Sequence, residues 1–146
     1  MLRTCAPGHL TASAWILAAD GRHCLLAHHR KLGKWLQLGG HADGEPELWR
    51  VALREAQEES GMRDFAVGRT VLDLDLHPIP ARGAEAEHLH FDVRFLLRAA
   101  PDQSLVCSDE SNEVRWVEVG DLPRYTTEES VLRLARKARA GGLDDS

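Results

Sequence analysis

Three glutamates stand close together in a part of the sequence that is typical of a helix. Glu58 and Glu59 follow Glu55 by three and four residues, so the three side chains converge on one side of that helix. At about 100° per residue, Glu55 and Glu59 fall within about 20° of Leu48, inside the apolar face of the helix. Because an unpaired buried charge costs several kcal/mol, we expect these carboxylates to have positively charged partners.

A divalent cation is the partner that would satisfy all three carboxylates. Arg54 is the neighbouring positive charge in the sequence, but one guanidinium cannot serve three carboxylates. Mg²⁺ and Mn²⁺ prefer carboxylate oxygens and keep coordination positions for water or phosphate. The pattern therefore predicts a metal centre on this helix. The alternative is a solvated acidic stripe in which Arg54 forms an ordinary ion pair.

The helix that carries these residues has sequence signals at both of its ends. Pro46 stands near the expected first turn, and Gly61 follows Ser60 at the expected last turn, as is common for helix ends. Gly39 and Gly40 precede the helix, and paired glycines suit a backbone that turns tightly or that another group approaches closely. We therefore expect a loop that leads into a helix ending at about Ser60.

Other segments show the alternation of apolar and polar residues that is typical of strands, and one shows a helical stripe. The expected strands cover residues 9–18, 24–27, 71–77, 88–97 and 114–119, and the stripe covers residues 131–138. Asp20-Gly21 is a turn signal between the first two strands. The pattern predicts a chain of strands with one helix in its middle and another near its end.

Residues 40–62 resemble the Nudix box, whose pattern is G-x5-E-x7-R-E-U-x-E-E-x-G-U with U an apolar residue. The residues that match are Gly40, Arg54, Glu55, Ala56, Glu58, Glu59, Gly61 and Met62. Pro46 stands where the box has its first glutamate, and Glu45 and Glu47 are each one residue out of register. That glutamate is not the central metal ligand of the family, so the departure affects the expected loop geometry more than the expected metal site.

The resemblance implies a fold, a site and an activity. The fold is an α/β sandwich with a mixed β-sheet between helices, formed by residues 1–146 as a single Nudix hydrolase domain. The three glutamates would bind Mg²⁺ or Mn²⁺, Arg54 would orient a carboxylate, and Gly39 and Gly40 would shape the loop near the phosphates. The activity would be hydrolysis of a phosphoanhydride bond in a nucleotide, or in a nucleoside diphosphate linked to another group.

The general base of such a reaction is open at this stage. A carboxylate held loosely by the metal could accept the proton of the attacking water, which makes Glu58 and Glu59 candidates. Glu110 and Glu113, before the last expected strand, are further candidates. For Glu113, an exposed loop carboxylate without a catalytic role is the favoured interpretation.

A second group of polar residues is expected on one face of a β-hairpin. Pairing residue 77 with 88, 75 with 90 and 73 with 92 would collect three histidines and three aspartates on that face. His77, His88 and His90 are therefore candidates for substrate contact or for an additional metal site. The alternative is a solvated sheet face.

Composition excludes several classes of protein. The chain has 146 residues, 43% hydrophobic and 28% charged, and a formal charge of −5, which argues against a basic surface that grips a nucleic-acid backbone. Its three cysteines have no C-x-x-C spacing, and no stretch is long and apolar enough for a membrane helix. We therefore expect a cytoplasmic protein, and the charge still allows a small anionic ligand. The Nudix resemblance implies that this ligand is a nucleotide or a nucleoside diphosphate derivative. The oligomeric state is open at the level of sequence, and a homodimer is one candidate because dimers are common in the family.

Two functions from different classes remain at the level of sequence. One is the metal-dependent hydrolase, and the other is a non-catalytic Nudix-fold module that binds or senses a nucleotide. The complete set of Arg54, Glu55, Glu58 and Glu59 favours the enzyme, because a sensor does not need it. A Nudix-fold isomerase is less favoured, because no cysteine stands in an obvious catalytic context.

Overall fold

A computed structural model of the protein describes the backbone of residues 8–79 and 88–141 and the side chains of residues 10–76 and 89–139. The strands in these ranges are β1 (Gly8–Leu17), β2 (His23–His29), β3 (Trp35–Leu36), β4 (Leu38–His41), β5 (Phe65–Ile79), β6 (His88–Ala99) and β7 (Ser111–Glu118). The helices are α1 (Leu48–Ser60), α2 (Glu129–Gly141) and a 3-10 helix (Val119–Arg124).

Strand β1 lies at the centre of one mixed sheet. It pairs in parallel with β6 along its whole length, and antiparallel with β4 from Thr11 to Ala14 and with β2 at Leu17. The main strand order is β3-β2-β1-β6-β5, with β4 added beside β1 and β7 beside β2. Strand β1 therefore lies between β4, which precedes α1, and β6, which carries polar residues.

The sheet separates two apolar cores. On one face, residues of β1 pack against α1, and the buried residues of this core include Ala12, Ala14, Ile16, Val51, Ala52 and Ala56. On the other face, intervening residues of β1 pack against α2, in a core that includes Trp15, Leu17, Val131 and Leu134. Because successive side chains of a strand point to opposite faces, each helix covers one face of the sheet. The predicted mixed sheet between helices is confirmed.

Helix α1 ends where the sequence predicts and begins later than expected. Gly61 follows its last residue in the left-handed conformation, with φ 80°, and its N–H donates to the carbonyl of Gln57. At the other end, the helix begins at Leu48, so Pro46 lies before the first turn and not within it. A glycine is suited to the positive φ that closes a helix, so the C-terminal end of α1 could be predicted more precisely than its N-terminal end.

The hairpin formed by β5 and β6 has a different register from the predicted one. The structure pairs Asp75 with Asp92 and His77 with His90, and it places Arg94 opposite Asp73, so the prediction is wrong by two residues. A shift of two residues keeps every side chain on its face, and alternation alone cannot detect it. The observed register brings the Arg94 guanidinium within 3.7 Å of three aspartates.

Among the residues that the structure describes, neither α-helix is long and apolar enough to cross a membrane.

Candidate metal centre

Two of the three glutamates on α1 lie in the protein interior. Glu59 is 7% exposed, and the Glu55 side chain is 16% exposed. Glu58, on the same helix, is exposed. The prediction that Glu55 and Glu59 lie on the inner face of α1 is confirmed, because the helix turns them toward β4 and the sheet.

The buried carboxylates repel one another. Burial raises the pKa of Glu59 from 4.5 to about 9, and the neighbouring carboxyl groups of Glu55 and then Glu110 add to the increase. Like charges that share a site cannot all be ionised without a counter-charge. These three carboxyl groups, the acidic cluster, therefore need either protons or a cation at neutral pH.

The glycine pair before α1 lies inside strand β4 and lets other groups come close. A Cβ on Gly40 would be 2.5 Å from the Glu55 carboxyl carbon, and one on Gly39 would be 2.6 Å from the carbonyl oxygen of Ala12. The turn interpretation of this pair is therefore wrong, and the close-approach interpretation is confirmed. The chain turns further on, at Asp43 and Gly44, which have φ values of 48° and 86°.

Arg54 contacts both the backbone before α1 and one carboxylate of the acidic cluster. Its Nη2 atom lies 3.4 Å from the Glu55 carboxylate and 3.5 Å from the carbonyl oxygen of His41. These are long contacts of a half-exposed guanidinium, so they orient Glu55 without neutralising the whole cluster. This position agrees with the orienting role that the Nudix resemblance implies for Arg54.

The chemistry of the acidic cluster fits a hard divalent cation. Within the described residues, no three His, Cys, Asp or Glu side chains are already arranged to hold a metal ion. Mg²⁺, however, is commonly bound by one or two carboxylates together with water and substrate phosphates. Glu55 and Glu59 supply the carboxylates for such a site, and burial together with the neighbouring carboxyl groups raises the pKa of Glu59, a change that a bound cation would oppose.

The two carboxylates that the sequence places before the last strand have different surroundings, and Glu113 lies within that strand and not in the loop. Glu110 is close enough to raise the pKa of Glu59. Glu113 lies on β7 opposite His28, and its half-exposed carboxylate is 2.7 Å from the Arg115 guanidinium. The structure therefore brings Glu110 and not Glu113 to the acidic cluster.

The polar face of the β5–β6 hairpin is buried and already paired. The Asp92 carboxylate accepts hydrogen bonds from the hydroxyls of Thr11 and Ser13, at 2.8 Å and 2.7 Å, and from Nε of Arg94 at 2.9 Å. Asp92 and Arg94 are both buried, so the interpretation as a solvated sheet face is wrong. Sequence analysis missed Thr11 and Ser13 because they reach Asp92 through the parallel pairing of distant strands.

Helix α2 supplies further positive charge to this face. The Asp73 carboxylate lies 2.9 Å from the Arg133 guanidinium and 2.6 Å from Nζ of Lys137. Burial alone would raise the pKa of Asp73, but the hydrogen bonds from Arg133 and Lys137 outweigh it and hold the pKa below 3.8. These cations provide the positive charge that an additional metal ion would otherwise supply.

The three histidines proposed for substrate contact lie along the same hairpin. Nε2 of His90 is 3.1 Å from the Thr11 hydroxyl. The backbones of His77 and His88 lie in β5 and β6, opposite His90 and Ile79 respectively, and their side chains are outside the described part. Their role in substrate contact stays a prediction.

Half-buried aromatic rings lie between β3 and the 3-10 helix. Trp35 and Tyr125 meet edge to face with ring centroids 5.5 Å apart, and the Arg115 guanidinium lies 5.2 Å from the Trp35 ring centroid. Aromatic faces and guanidinium groups can contact a nucleobase and phosphates. The sequence offers Trp35 as a residue that could stack on a nucleobase, but it does not place Tyr125 and Arg115 beside Trp35, because both are far from it in the chain.

Comparisons with known proteins agree with this fold. The family model described as NUDIX domain matches residues 7–137. A comparison with the sequences of curated proteins gave no match.

Three solved structures share the fold over most of the chain. An Ap4A hydrolase of C. elegans, in a binary complex, has a TM-score of 0.73 at 20% identity and covers 90% of this chain and 96% of its own. The dihydroneopterin triphosphate pyrophosphohydrolase of E. coli has a TM-score of 0.71 at 16% identity, covering 88% and 92%. The NUDIX domain of Shewanella oneidensis NrtR, complexed with ADP ribose, has a TM-score of 0.68 at 17% identity, covering 96% and 92%. At these identities the likeness concerns the fold.

Proposed function

Because the chain belongs to the Nudix family, we propose that it is a metal-dependent hydrolase that cleaves a phosphoanhydride bond. The substrate class is a nucleotide, or a nucleoside diphosphate linked to another group. One observation carries the proposal: the buried Glu59 carboxyl lies beside those of Glu55 and Glu110, Arg54 contacts Glu55, and the pKa of Glu59 is raised to about 9. A cation bound between these carboxylates would offset the repulsion that otherwise keeps a proton on Glu59.

Glu55 and Glu59 would hold Mg²⁺ or Mn²⁺, with Glu58 as the third ligand that the sequence predicts. When bound, the cation offsets phosphate charge and makes a water molecule more acidic. Arg54 keeps the Glu55 carboxylate oriented, and Gly40 leaves the space that this carboxylate occupies. In the reaction, the oxygen of water bonds to one phosphorus and the bridging P–O bond breaks.

We propose that the Glu110 carboxylate is the general base, which accepts the proton of the attacking water. Glu110 comes from the loop before β7 and reaches the acidic cluster from outside α1, so it does not have to serve as an inner ligand of the cation. Glu113 is less suited because Arg115 holds its carboxylate at 2.7 Å. A general base must come within hydrogen-bond reach of the water, and proximity to the acidic cluster favours Glu110.

The alternative is a nucleotide-binding module without catalysis. The NUDIX domain of Shewanella oneidensis NrtR, which shares the fold, is complexed with ADP ribose, so nucleotide binding is the activity that this alternative would retain. The complete set of Arg54, Glu55, Glu58 and Glu59 favours the hydrolase, because nucleotide binding alone does not require all four.

A substrate panel tests the proposed activity. Nucleoside triphosphates, dinucleoside polyphosphates, ADP-ribose, NADH and nucleotide sugars are incubated with the protein and Mg²⁺ or Mn²⁺, and the products are separated by chromatography. We expect metal-dependent cleavage of at least one of these compounds. Binding of a nucleotide without cleavage, under both metals, would instead support the sensor.

Substitution of Glu55 and Glu59 tests whether that activity depends on the acidic cluster. We expect Glu55→Gln and Glu59→Gln each to lower kcat/KM at least about 100-fold, because each removes a ligand charge from the metal. Glu47→Gln is the matched control, since Glu47 lies before α1 and its side chain accepts the Trp49 indole N–H, a bond that glutamine can keep. Activity in both buried variants equal to that of the control would contradict the assignment.

Three broader expectations also remain proposals. We propose that residues 1–146 form one domain, that the protein is cytoplasmic and that it forms a homodimer. Limited proteolysis, imaging of the tagged protein and light scattering after gel filtration test them in turn. A stable proteolytic fragment, a non-cytoplasmic signal or a monomeric mass would contradict the corresponding expectation.

A further inference from the structure

A cavity of about 450 Å³ lies on the α2 side of the sheet, between that helix and the turn that joins β1 to β2. Trp15 and Leu17 from β1 contribute its apolar part. Arg22 from the turn, Arg98 from β6 and Arg139 from α2 also line it. Three guanidinium groups from three separate elements therefore meet at one cavity that also has apolar lining residues.

The charges around this cavity are not balanced. Glu118 is the one carboxylate among its lining residues, against three guanidinium groups. Among the residues that the structure describes, Arg22, Arg98 and Arg139 form no ion pair with a carboxylate, whereas Arg94 and Arg133 do. In a chain with a formal charge of −5, this local excess of positive charge favours an anionic ligand.

Two buried N–H groups of the lining residues have no partner. Within the described part of the chain, Nε1 of Trp15 and Nε of Arg98 are buried and make no hydrogen bond. Trp15 is fully buried. A buried donor without an acceptor costs free energy, so a ligand whose acceptor atoms reach these N–H groups after a shift of the lining side chains would relieve a cost that the free protein carries.

We propose that this cavity is a second binding site, which takes a small organic phosphate. The phosphate group would contact the guanidinium groups of Arg22, Arg98 and Arg139, whose planar donors match phosphate oxygens. The apolar part of the ligand would lie against Leu17, Ala135 and Ala138, with Trp15 directly behind them. A volume of about 450 Å³ is in the usual range for small-molecule sites, and inorganic phosphate would fill little of it.

This second site is separate from the acidic cluster. Leu17, which lines the cavity, is five residues along β1 from Ala12, which pairs with Gly40 beside Glu55, a separation of roughly 17 Å at the rise of a strand. The cavity is on the α2 face of the sheet, whereas Glu55 and Glu59 are on α1. A ligand bound in the cavity would therefore leave the acidic cluster free for substrate.

The tryptophan indole signals provide a local test. Phenyl phosphate is titrated into the ¹⁵N-labelled full chain with chelator present, and the indole N–H resonance of Trp15 is identified by its absence from Trp15→Phe. We expect this resonance to shift in a saturable way, and inorganic phosphate to bind at least 10-fold more weakly. An unchanged Trp15 resonance, or equal affinity for the two probes, would overturn the proposal.

Variants of the lining arginines give the second half of the test. We expect Arg22→Gln and Arg98→Gln each to weaken phenyl phosphate binding at least 10-fold. Arg63→Gln is the matched control, because Arg63 is exposed and lies just after α1, and it should bind as the original protein does. Arg22 is exposed, so its variant remains informative if Arg98→Gln does not fold. Equal binding by Arg22→Gln and the control would overturn the site.

Discussion

At the scale of single residues, Glu58 and Glu59 are neighbours of the same type with different surroundings. Glu59 is buried beside Glu55 and Glu110, and its pKa is raised to about 9, while Glu58 is exposed. The difference follows from the 100° step between successive residues of a helix. Residue type alone would give the two glutamates the same role.

Gly40 provides a prediction about the space that Glu55 needs. We expect Gly40→Ala to lower kcat/KM at least about 10-fold, because its Cβ would lie 2.5 Å from the Glu55 carboxyl carbon and would displace it. Gly120→Ala is the control, since nothing lies within 4 Å of a Cβ there. Steady-state kinetics on the best compound of the panel measure the effect. Equal activity in the two variants would show that the position of the Glu55 carboxylate is not critical.

Glu110 and Glu113 provide a second prediction at this scale. We expect Glu110→Gln to lower kcat about 100-fold with little change in KM, as is typical for loss of a general base, and to flatten the pH profile of kcat. Glu113→Gln should stay within about twofold of the original activity, because an exposed ion pair contributes little. A large loss of kcat in Glu113→Gln with little loss in Glu110→Gln would instead identify Glu113 as the general base.

At the scale of elements, prediction from sequence succeeded where the determinants are local. The end of α1 depends on Gly61 and on the periodicity just before it, and both can be seen in a short stretch of sequence. The β5–β6 register depends on side chains far apart in the chain. Placing Arg94 opposite Asp73 allows contacts with α2, and alternation within each strand contains no information about that helix.

The ion pairs between β5 and α2 predict a pH dependence of stability. The pKa of Asp73 is held below 3.8, so its contribution is present above that value and is lost as the pH falls through the folded-state pKa. We expect Asp73→Asn to destabilise the protein by about 3 kcal/mol at pH 7 and to remove this part of the acid sensitivity.

Chemical unfolding at several pH values between 2 and 7 measures this contribution. Asp64→Asn is the control, because Asp64 is exposed and should change the free energy of unfolding by less than about 0.5 kcal/mol. If the free energy of unfolding changed with pH in the same way in the Asp73 and Asp64 variants, the ion pairs of Asp73 would not have this role.

At the scale of the whole molecule, the sheet separates two kinds of charged group. On the α1 side, Arg54 reaches Glu55 through one long contact of 3.4 Å. On the α2 side, Asp73 lies 2.9 Å from Arg133 and 2.6 Å from Lys137, and the arginine-lined cavity is on the same side. Burial has different consequences on the two sides because the cationic side chains approach the carboxylates more closely on the second.

In the presence of a chelator, the free energy of unfolding should therefore depend on pH, because Glu59 is buried. Because burial raises the pKa of Glu59 in the folded state from its usual 4.5 to about 9, stability is full below pH 4.5 and decreases as the pH rises toward 9. The expected loss is up to about 1.4 kcal/mol per pH unit. Glu59→Gln should remove this loss and should melt at a higher temperature than the original chain at pH 8 in chelator.

Added metal should reverse the difference between these two proteins. Mg²⁺ or Mn²⁺ should raise the Tm of the original chain, because a ligand that binds only the folded state stabilises it, and should leave Glu59→Gln nearly unchanged. Thermal melts with and without metal measure both effects. A Tm that rises equally in both proteins would place the cation elsewhere.

The sequence by itself determined the family resemblance, the inner face of α1 and the identity of Glu55 and Glu59 as its buried carboxylates, because helical periodicity and a fixed motif are local properties. Only the tertiary structure decided that Glu110 joins these carboxylates, that Asp73, Asp92 and Arg94 are buried and paired, and that three arginines meet at one cavity. Those contacts join residues from separate strands and helices, so they depend on sheet register and helix docking, which no short stretch of sequence specifies.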